Sequence, residues 1–200
     1  MNAQLQAVTD DLMSAGRVLS ALYQDLPADA WSHQPAPDRW SAAECVAHLN
    51  LTSRALLPLF QAGLREARGM GARTAARYRR DAMGWLVWHA MRPSGGLKTA
   101  ALPAFVPSAV PAVQDLLEEF DQLQEALASC VREAENLPIE QVTVVSPFDP
   151  RVKVNLYAAL TLVARHQHRH LRQAERAAAA VLVSGSPCGV PAPLASLLPA

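Results

Sequence analysis

The stretch VNLYAALTLVARHQHRHLRQAERAAAAVLV, residues 154–183, decides the fold class of this chain. It contains no Pro or Gly, and its apolar residues recur with helical spacing. The apolar residues that share one helical face are Leu156, Leu160, Val163, Ala174 and Ala177. A run of this length without a helix breaker predicts one long helix whose apolar stripe faces a core.

Three earlier stretches of the chain show the same helical period. They are residues 2–26, 41–68 and 112–136. Four long helices joined by substantial loops predict an all-α fold, a four-helix bundle, over residues 1–183. Residues 184–200 are rich in Pro, Gly, Ser and Ala, so we expect a tail outside the bundle.

The second helix begins with a capping signal. The Ser41 side chain can accept a hydrogen bond from the Glu44 amide while the Glu44 side chain reaches back to the Ser41 amide, which is the capping box. Pro58 inside the helix requires a kink or a local break, because proline removes one backbone hydrogen bond. Gly69 and Gly71 predict the end of the helix.

A long crossover connects the second and third long helices, with one short helix expected at about residues 78–91. The cluster Trp85-Leu86-Val87-Trp88 is larger than a solvated loop tolerates and predicts a homodimer contact. Residues 95–111 should pack against the bundle, because they include four apolar side chains, Leu97, Leu102, Phe105 and Val106. Residues 137–153 contain three prolines and are expected to form a second loop.

The composition excludes several classes of protein. Lys plus Arg and Asp plus Glu both number 18 among 200 residues, so the net charge is zero and no global field favours nucleic acid. No stretch reaches the roughly 18 apolar residues of a membrane span, and the start of the chain does not resemble a secretory signal. Cys45, Cys130 and Cys188 are too widely spaced to suggest a disulfide framework. We therefore expect a soluble cytoplasmic protein without a membrane or nucleic-acid partner.

His166 and His170 form an HxxxH pair on the last long helix. Side chains four residues apart share one face, with Cβ atoms about 5–6 Å apart, so both imidazoles can reach one metal ion. A buried imidazole needs a partner for each ring nitrogen. The pair alone therefore fits a metal site or two core histidines bonded to backbone or carboxylate groups. His168 lies about 200° around the helix from His166 and should face solvent.

His48 lies on the apolar stripe of the second helix, at helical spacing from Cys45 and Leu51. A lone histidine there is usually a core residue. Three inward histidines from two helices, however, provide the neutral nitrogen ligands of an open metal site, so His48, His166 and His170 together favour a metal. Cys45, one turn before His48, is either a fourth, soft ligand or a small buried residue.

Two further patterns concern the chemistry. The pair reads HQHRH rather than HExxH, so no glutamate stands between the ligands as a base, which argues against a metallopeptidase. The segment Arg77-Tyr78-Arg79 either binds an anionic group of a substrate or forms a solvated basic patch. Neither pattern identifies a substrate.

Four short blocks follow one another in a fixed order. They are W-S-x-x-E-x-x-x-H-L at residues 40–49, Lys98-Thr99 with Phe105-Val106-Pro107 downstream, Ser146-Pro147-Phe148, and H-x-x-R-H-L-x-Q-A at residues 166–174. In this order the blocks resemble the DinB-like superfamily of helical bundle proteins, in particular its DinB/YfiT-like branch. The resemblance covers roughly residues 10–180.

The resemblance implies a bundle with up-down-down-up topology and, in many members, a homodimer. The family's metal triad falls on His48, His166 and His170 and implies a divalent ion, zinc or nickel. Characterised relatives include S-transferases that use bacillithiol or mycothiol, and a maleylpyruvate isomerase. The expected function is a metal-dependent transfer of a low-molecular-weight thiol cosubstrate to a small electrophilic substrate. The alternative is a non-catalytic, stress-associated protein that binds a metal or a ligand.

Overall fold

A computed structural model describes residues 1–71, 77–92 and 102–184 of the chain. The described part is mostly helical, which confirms the predicted all-α class. Its helices are α1 (Ala3–Asp25), α2 (Ala42–Gly69), α3 (Ala82–Ala90), α4 (Val113–Glu133) and α5 (Leu156–Ser184). Two single-turn 3₁₀ helices, Ala28–Trp31 and Pro103–Phe105, and two short strands complete the described elements.

The interior of the four long helices consists of two hydrophobic clusters. Helices α1 and α2 each pack against both α4 and α5. One half of the interior is built around Leu12, Phe60, Leu127 and Leu160, and the other around Leu19, Leu49, Phe120 and Leu171. Each helix therefore buries its apolar stripe against two neighbours, and stripes from α2 and α5 face each other where the histidines lie.

Helix α2 begins as its sequence predicts. The Ser41 amide donates to Glu44 Oε2 at 2.7 Å, and the Glu44 amide donates to Ser41 Oγ at 3.2 Å, so the capping box is complete. The helix runs through Pro58 without interruption and ends at Gly69, with Gly71 at a φ of +88°. That backbone conformation favours glycine, which explains why the helix stops there.

The predicted loop at residues 137–153 is wrong in part, because it contains the first strand of a hairpin. Strand β1 (Thr143–Val145) pairs antiparallel with strand β2 (Lys153–Asn155), and Val144 lies opposite Val154. Helix α5 consequently begins at Leu156, two residues later than predicted. Asn155 Oδ1 accepts a hydrogen bond from the Ala158 amide at 2.8 Å and so caps the helix start.

Helix α3 is shorter than the predicted residues 78–91. Asp81 caps its start by accepting a hydrogen bond from the Gly84 amide, and its second oxygen accepts one from the Asn155 amide at 2.7 Å. Helix α3 also approaches α5 closely, since a Cβ built on Gly84 would lie 2.4 Å from Ala158 Cβ. Asp81 and Gly84 therefore fix α3 against the start of α5.

The later crossover packs against the bundle through one of the predicted side chains. Phe105 is half-buried and its ring lies 4.6 Å from that of Phe148, whereas Leu102 and Val106 are exposed, so the prediction was wrong for those two. Leu97, the Lys98-Thr99 block, Cys188 and almost all of the predicted tail lie outside the described residues. Among the described helices, none is long and apolar enough to cross a membrane.

Candidate metal centre

Three histidines meet between α2 and α5. His48 lies in the second turn of α2, and His166 and His170 face it from the middle of α5. The ring of His170 lies 4.5 Å from each of the other two rings, and those of His48 and His166 are 5.3 Å apart. One nitrogen from each ring lies within 4.8 Å of the other two. Ligands of a tetrahedral ion with bonds of about 2.0–2.1 Å stand about 3.3 Å apart, so small ring rotations would complete a site.

A backbone hydrogen bond sets the tautomer of His48. This residue is buried, and its Nδ1 lies 2.7 Å from the carbonyl oxygen of Phe105. A carbonyl only accepts, so Nδ1 carries the proton and donates it, which leaves the lone pair on Nε2. Metal-binding histidines are commonly oriented by such a bond from their second nitrogen. The crossover therefore presents His48 in the form that binds a metal.

The other two histidines have unsatisfied nitrogens. His166 Nε2 and His170 Nδ1 are buried and make no hydrogen bond. In the described part of the chain, no carboxylate bonds to either ring; a side-chain hydrogen bond with Gln173 acts on His170, but His166 Nε2 and His170 Nδ1 stay unpaired. A buried polar atom without a partner costs about 1–3 kcal/mol, which a bound cation would offset at both atoms. The residues present therefore fit a divalent metal ion.

The three imidazoles are held in their neutral forms. Burial, followed by electrostatic repulsion from His48 and Arg169, lowers the pKa of His170 to about 3. Burial also lowers the pKa of His166 well below its usual range, and His170, His48 and Arg169 add to the effect. The pKa of His48 is lowered by burial and raised less by the Phe105 carbonyl. A neutral imidazole is the form that binds a metal ion.

Aromatic side chains surround the histidines. The Trp40 ring lies 4.9 Å from that of His48 and 6.0 Å from that of His170. Phe148, which follows β1, stacks on His166 at 6.3 Å. Trp40, Phe105 and Phe148 all occur in the family blocks, but helical periodicity could not identify them as site residues because they lie outside the long helices.

The remaining sequence candidates do not join the cluster. His168 donates from Nε2 to the Asp11 carbonyl at 3.0 Å and is half-buried against α1 rather than fully solvated. Cys45 is fully buried, and burial raises the pKa of its thiol to about 12, so it is a neutral core residue. Tyr78 is also in the core, where its hydroxyl donates to the Ala134 carbonyl.

The fold and the site together define a class, that of helical bundle proteins with a three-histidine group able to hold a metal ion. The sequence model of the DinB superfamily matches residues 12–174, so the chain belongs to the DinB superfamily. This confirms the family resemblance of the sequence blocks. Neither the curated proteins nor the solved structures gave a match.

Proposed function

We propose that this protein binds one divalent metal ion, zinc or nickel, through His48, His166 and His170. The observation that carries the proposal is the convergence of three neutral imidazoles, each with a nitrogen within 4.8 Å of the other two. Two of the rings also have a buried nitrogen that makes no hydrogen bond. Nitrogen ligands of this kind suit zinc and nickel better than the hard cations magnesium and calcium.

Metal analysis by mass spectrometry tests this proposal directly. The protein should be purified without a chelating tag, because such a tag carries metal of its own. The parent is expected to retain close to one zinc or nickel per chain, and the His166→Ala, His170→Ala double variant is expected to retain none. A parent free of metal that also fails to take up added zinc would contradict the proposal.

We further propose that the protein is a transferase of a low-molecular-weight thiol. A bound divalent ion deprotonates a coordinating thiol and so supplies a thiolate nucleophile at neutral pH. Three protein ligands leave a further position for that thiol. Trp40, Phe105 and Phe148 form apolar walls that exclude water and contact the body of a small electrophile. With a halogenated acceptor, the reaction forms a carbon–sulfur bond and breaks the carbon–halogen bond, and the halide and the thiol proton pass to solvent. With an epoxide, it forms a carbon–sulfur bond and breaks one carbon–oxygen bond of the ring, and the ring oxygen takes up a proton to become a hydroxyl group.

A screen of thiols against electrophiles tests the transferase proposal. Bacillithiol, mycothiol and glutathione would each be incubated with an epoxide and a halogenated acceptor, and the thioether product would be followed by mass spectrometry. Metal-loaded parent should form product, and His168→Ala should keep that activity because His168 bonds to α1 outside the cluster. His170→Ala should lose it. Zinc-loaded parent that forms no thioether with any pair would argue against a transferase.

The second candidate function is non-catalytic binding of a metal or a ligand. Two surface grooves favour it, since neither is lined by a histidine of the cluster. One, of about 330 Å³, is lined by Pro103 and Ala104 and by Ala47 and Leu51 of α2, and the other, of about 400 Å³, lies along α1 at Gly16. A metal site sealed by a fourth protein ligand would favour this function, and X-ray absorption of the zinc-loaded protein would count the ligands.

The quaternary structure, connectivity and location stay proposals. A homodimer contact on α3 is supported by Trp85 and Leu86, which are each 56% exposed, whereas Val87 and Trp88 pack against the interior. A monomer mass in light scattering at micromolar concentration would remove it. Up-down-down-up connectivity is supported by the two core clusters. One joins residues from the first halves of α1 and α5 to residues from the last halves of α2 and α4, and the other joins the opposite halves. A cytoplasmic location is supported by the unpaired thiols of Cys45 and Cys130.

A further inference from the structure

Two arginine side chains lie against the same tryptophan where α3 meets α5. The Arg165 guanidinium carbon lies 3.8 Å from the centre of the Trp88 ring, and that of Arg80 lies 4.6 Å from it. Arg80 is anchored further by its Nε, which donates to Thr161 Oγ1 at 2.9 Å. Stacking on an aromatic ring holds a guanidinium in a fixed plane, so both groups are oriented before any ligand arrives.

The positive charges of this group are not balanced by ion pairs. The salt bridges of the described residues use Arg54, Arg68, Arg132 and Arg151. Burial lowers the pKa of Arg165, repulsion by Arg92 and Arg80 lowers it further, and the attraction of Asp11 opposes this with a smaller effect. Residues 72–76, 93–101 and 185–200 contain no Asp or Glu. A chain with zero net charge therefore concentrates three positive charges at one place.

One donor in the group lacks an acceptor. Arg165 Nε is buried and makes no hydrogen bond. A buried donor of a charged group is costly when unpaired, so its presence indicates an acceptor other than the residues that the structure describes. The planar guanidinium matches the two oxygens of a carboxylate or phosphate group, and binding such an anion would also relieve the repulsion among the arginines.

We propose that Arg80 and Arg165, which lie over the Trp88 ring, form together with Arg92 a binding subsite for an oxyanion, the carboxylate or phosphate group of a small molecule. Arg165 directly precedes His166 on α5, and Arg169, one turn after Arg165, lowers the pKa of both His166 and His170, so the subsite and the candidate metal centre share one segment of the helix. This proposal rests on the proposed function and names the class of its substrate. The substrate would be an anionic molecule that binds Arg165 through its anionic group and reaches the histidines with its reacting end.

Titration calorimetry with inorganic phosphate and with malonate, on the full chain at low ionic strength, tests the subsite. The two probes distinguish phosphate from carboxylate ligands. Arg165→Gln should weaken binding of the preferred probe roughly tenfold or more, because a charge-assisted bidentate contact is lost. Arg165→Lys should recover only part of the affinity, since an ammonium keeps the charge but not the planar fork. Arg132→Gln on α4 removes the same charge far from α3 and should change affinity less than about twofold.

A second variant and titrations with and without metal complete the experiment. Arg92→Gln alters an exposed side chain, should fold normally, and should also weaken the probe. The proposal would be overturned if the parent bound neither probe, or if Arg92→Gln and Arg165→Gln bound the probe as tightly as the parent. Arg80 and Arg165 would then serve only to stack on Trp88 between α3 and α5. Titrations in EDTA and in zinc separate the two proposals: phosphate binding by a protein that binds no zinc supports the subsite while the metal centre fails.

Discussion

Acid should destabilise the metal-free protein, because its buried histidines stay neutral in the folded state. The pKa of His170 is lowered to about 3 and that of His166 well below its usual range, whereas histidine in an unfolded chain titrates near pH 6.5. Between these values the unfolded state binds more protons than the folded state, so the free energy of unfolding decreases as the pH falls. The loss of stability begins as the pH falls to about 6.5, and the part that is due to His170 continues toward pH 3.

The size of the effect follows from the difference between the two pKa values. Between pH 7 and pH 5, protonation of His170 in the unfolded chain lowers the free energy of unfolding by about 2 kcal/mol. The pKa of His166 shifts in the same direction, so this residue adds to the loss. The loss of about 2 kcal/mol from His170 alone is a large part of the roughly 5–15 kcal/mol that stabilises a typical domain.

Urea unfolding in EDTA at pH 7, 6 and 5 measures this dependence. The comparison is between the parent and His170→Gln, which keeps a polar side chain of similar size but cannot titrate. Over this range the parent should lose about 2 kcal/mol more than the variant, because one titrating group has been removed. A parent whose free energy of unfolding stays constant with pH, or a variant that loses as much as the parent, would refute the reasoning.

Three further changes test the packing and the metal. Gly84→Ala should destabilise the protein by about 1–3 kcal/mol in urea unfolding, because the new Cβ would lie 2.4 Å from Ala158 Cβ. The control is Gly16→Ala, also in a helix, where a Cβ would have nothing within 4 Å; it should be neutral or stabilising. Ser41→Ala should lower the free energy of unfolding by about 1 kcal/mol, because the capping box is lost. Zinc at a hundredfold excess over its Kd should raise the free energy of unfolding by about 2.7 kcal/mol and raise the Tm, and EDTA should reverse both changes.

Features coded by neighbouring residues could be predicted from the sequence. The Ser41 and Glu44 capping box joins residues three positions apart, and the HxxxH pair spans one helical turn, so local geometry alone places these side chains. The inward direction of His48 followed from the apolar stripe of its own helix. For such features the chain segment contains all the information that the prediction requires.

Features that join distant segments could not be predicted in this way. Strands of three residues are too short to show an alternating pattern, so the pairing of Val144 with Val154 was missed. The bond that orients His48 comes from the carbonyl of Phe105, 57 residues away and in an irregular segment. The contact of Arg165 with Trp88 depends likewise on where α3 packs. In each case the tertiary fold, not local periodicity, decides the contact.

Titration calorimetry of zinc and nickel into metal-free protein tests the central claim most directly. The parent and four single variants, His48→Ala, His166→Ala, His170→Ala and His168→Ala, would be titrated under the same conditions. Removing any cluster histidine leaves at most two of the proposed ligands, whereas His168 bonds to α1 on another side of α5. We predict one ion per chain for the parent and for His168→Ala, and no stoichiometric binding by the other three. Equal losses in all four variants, or no binding by the parent, would contradict a three-histidine metal site.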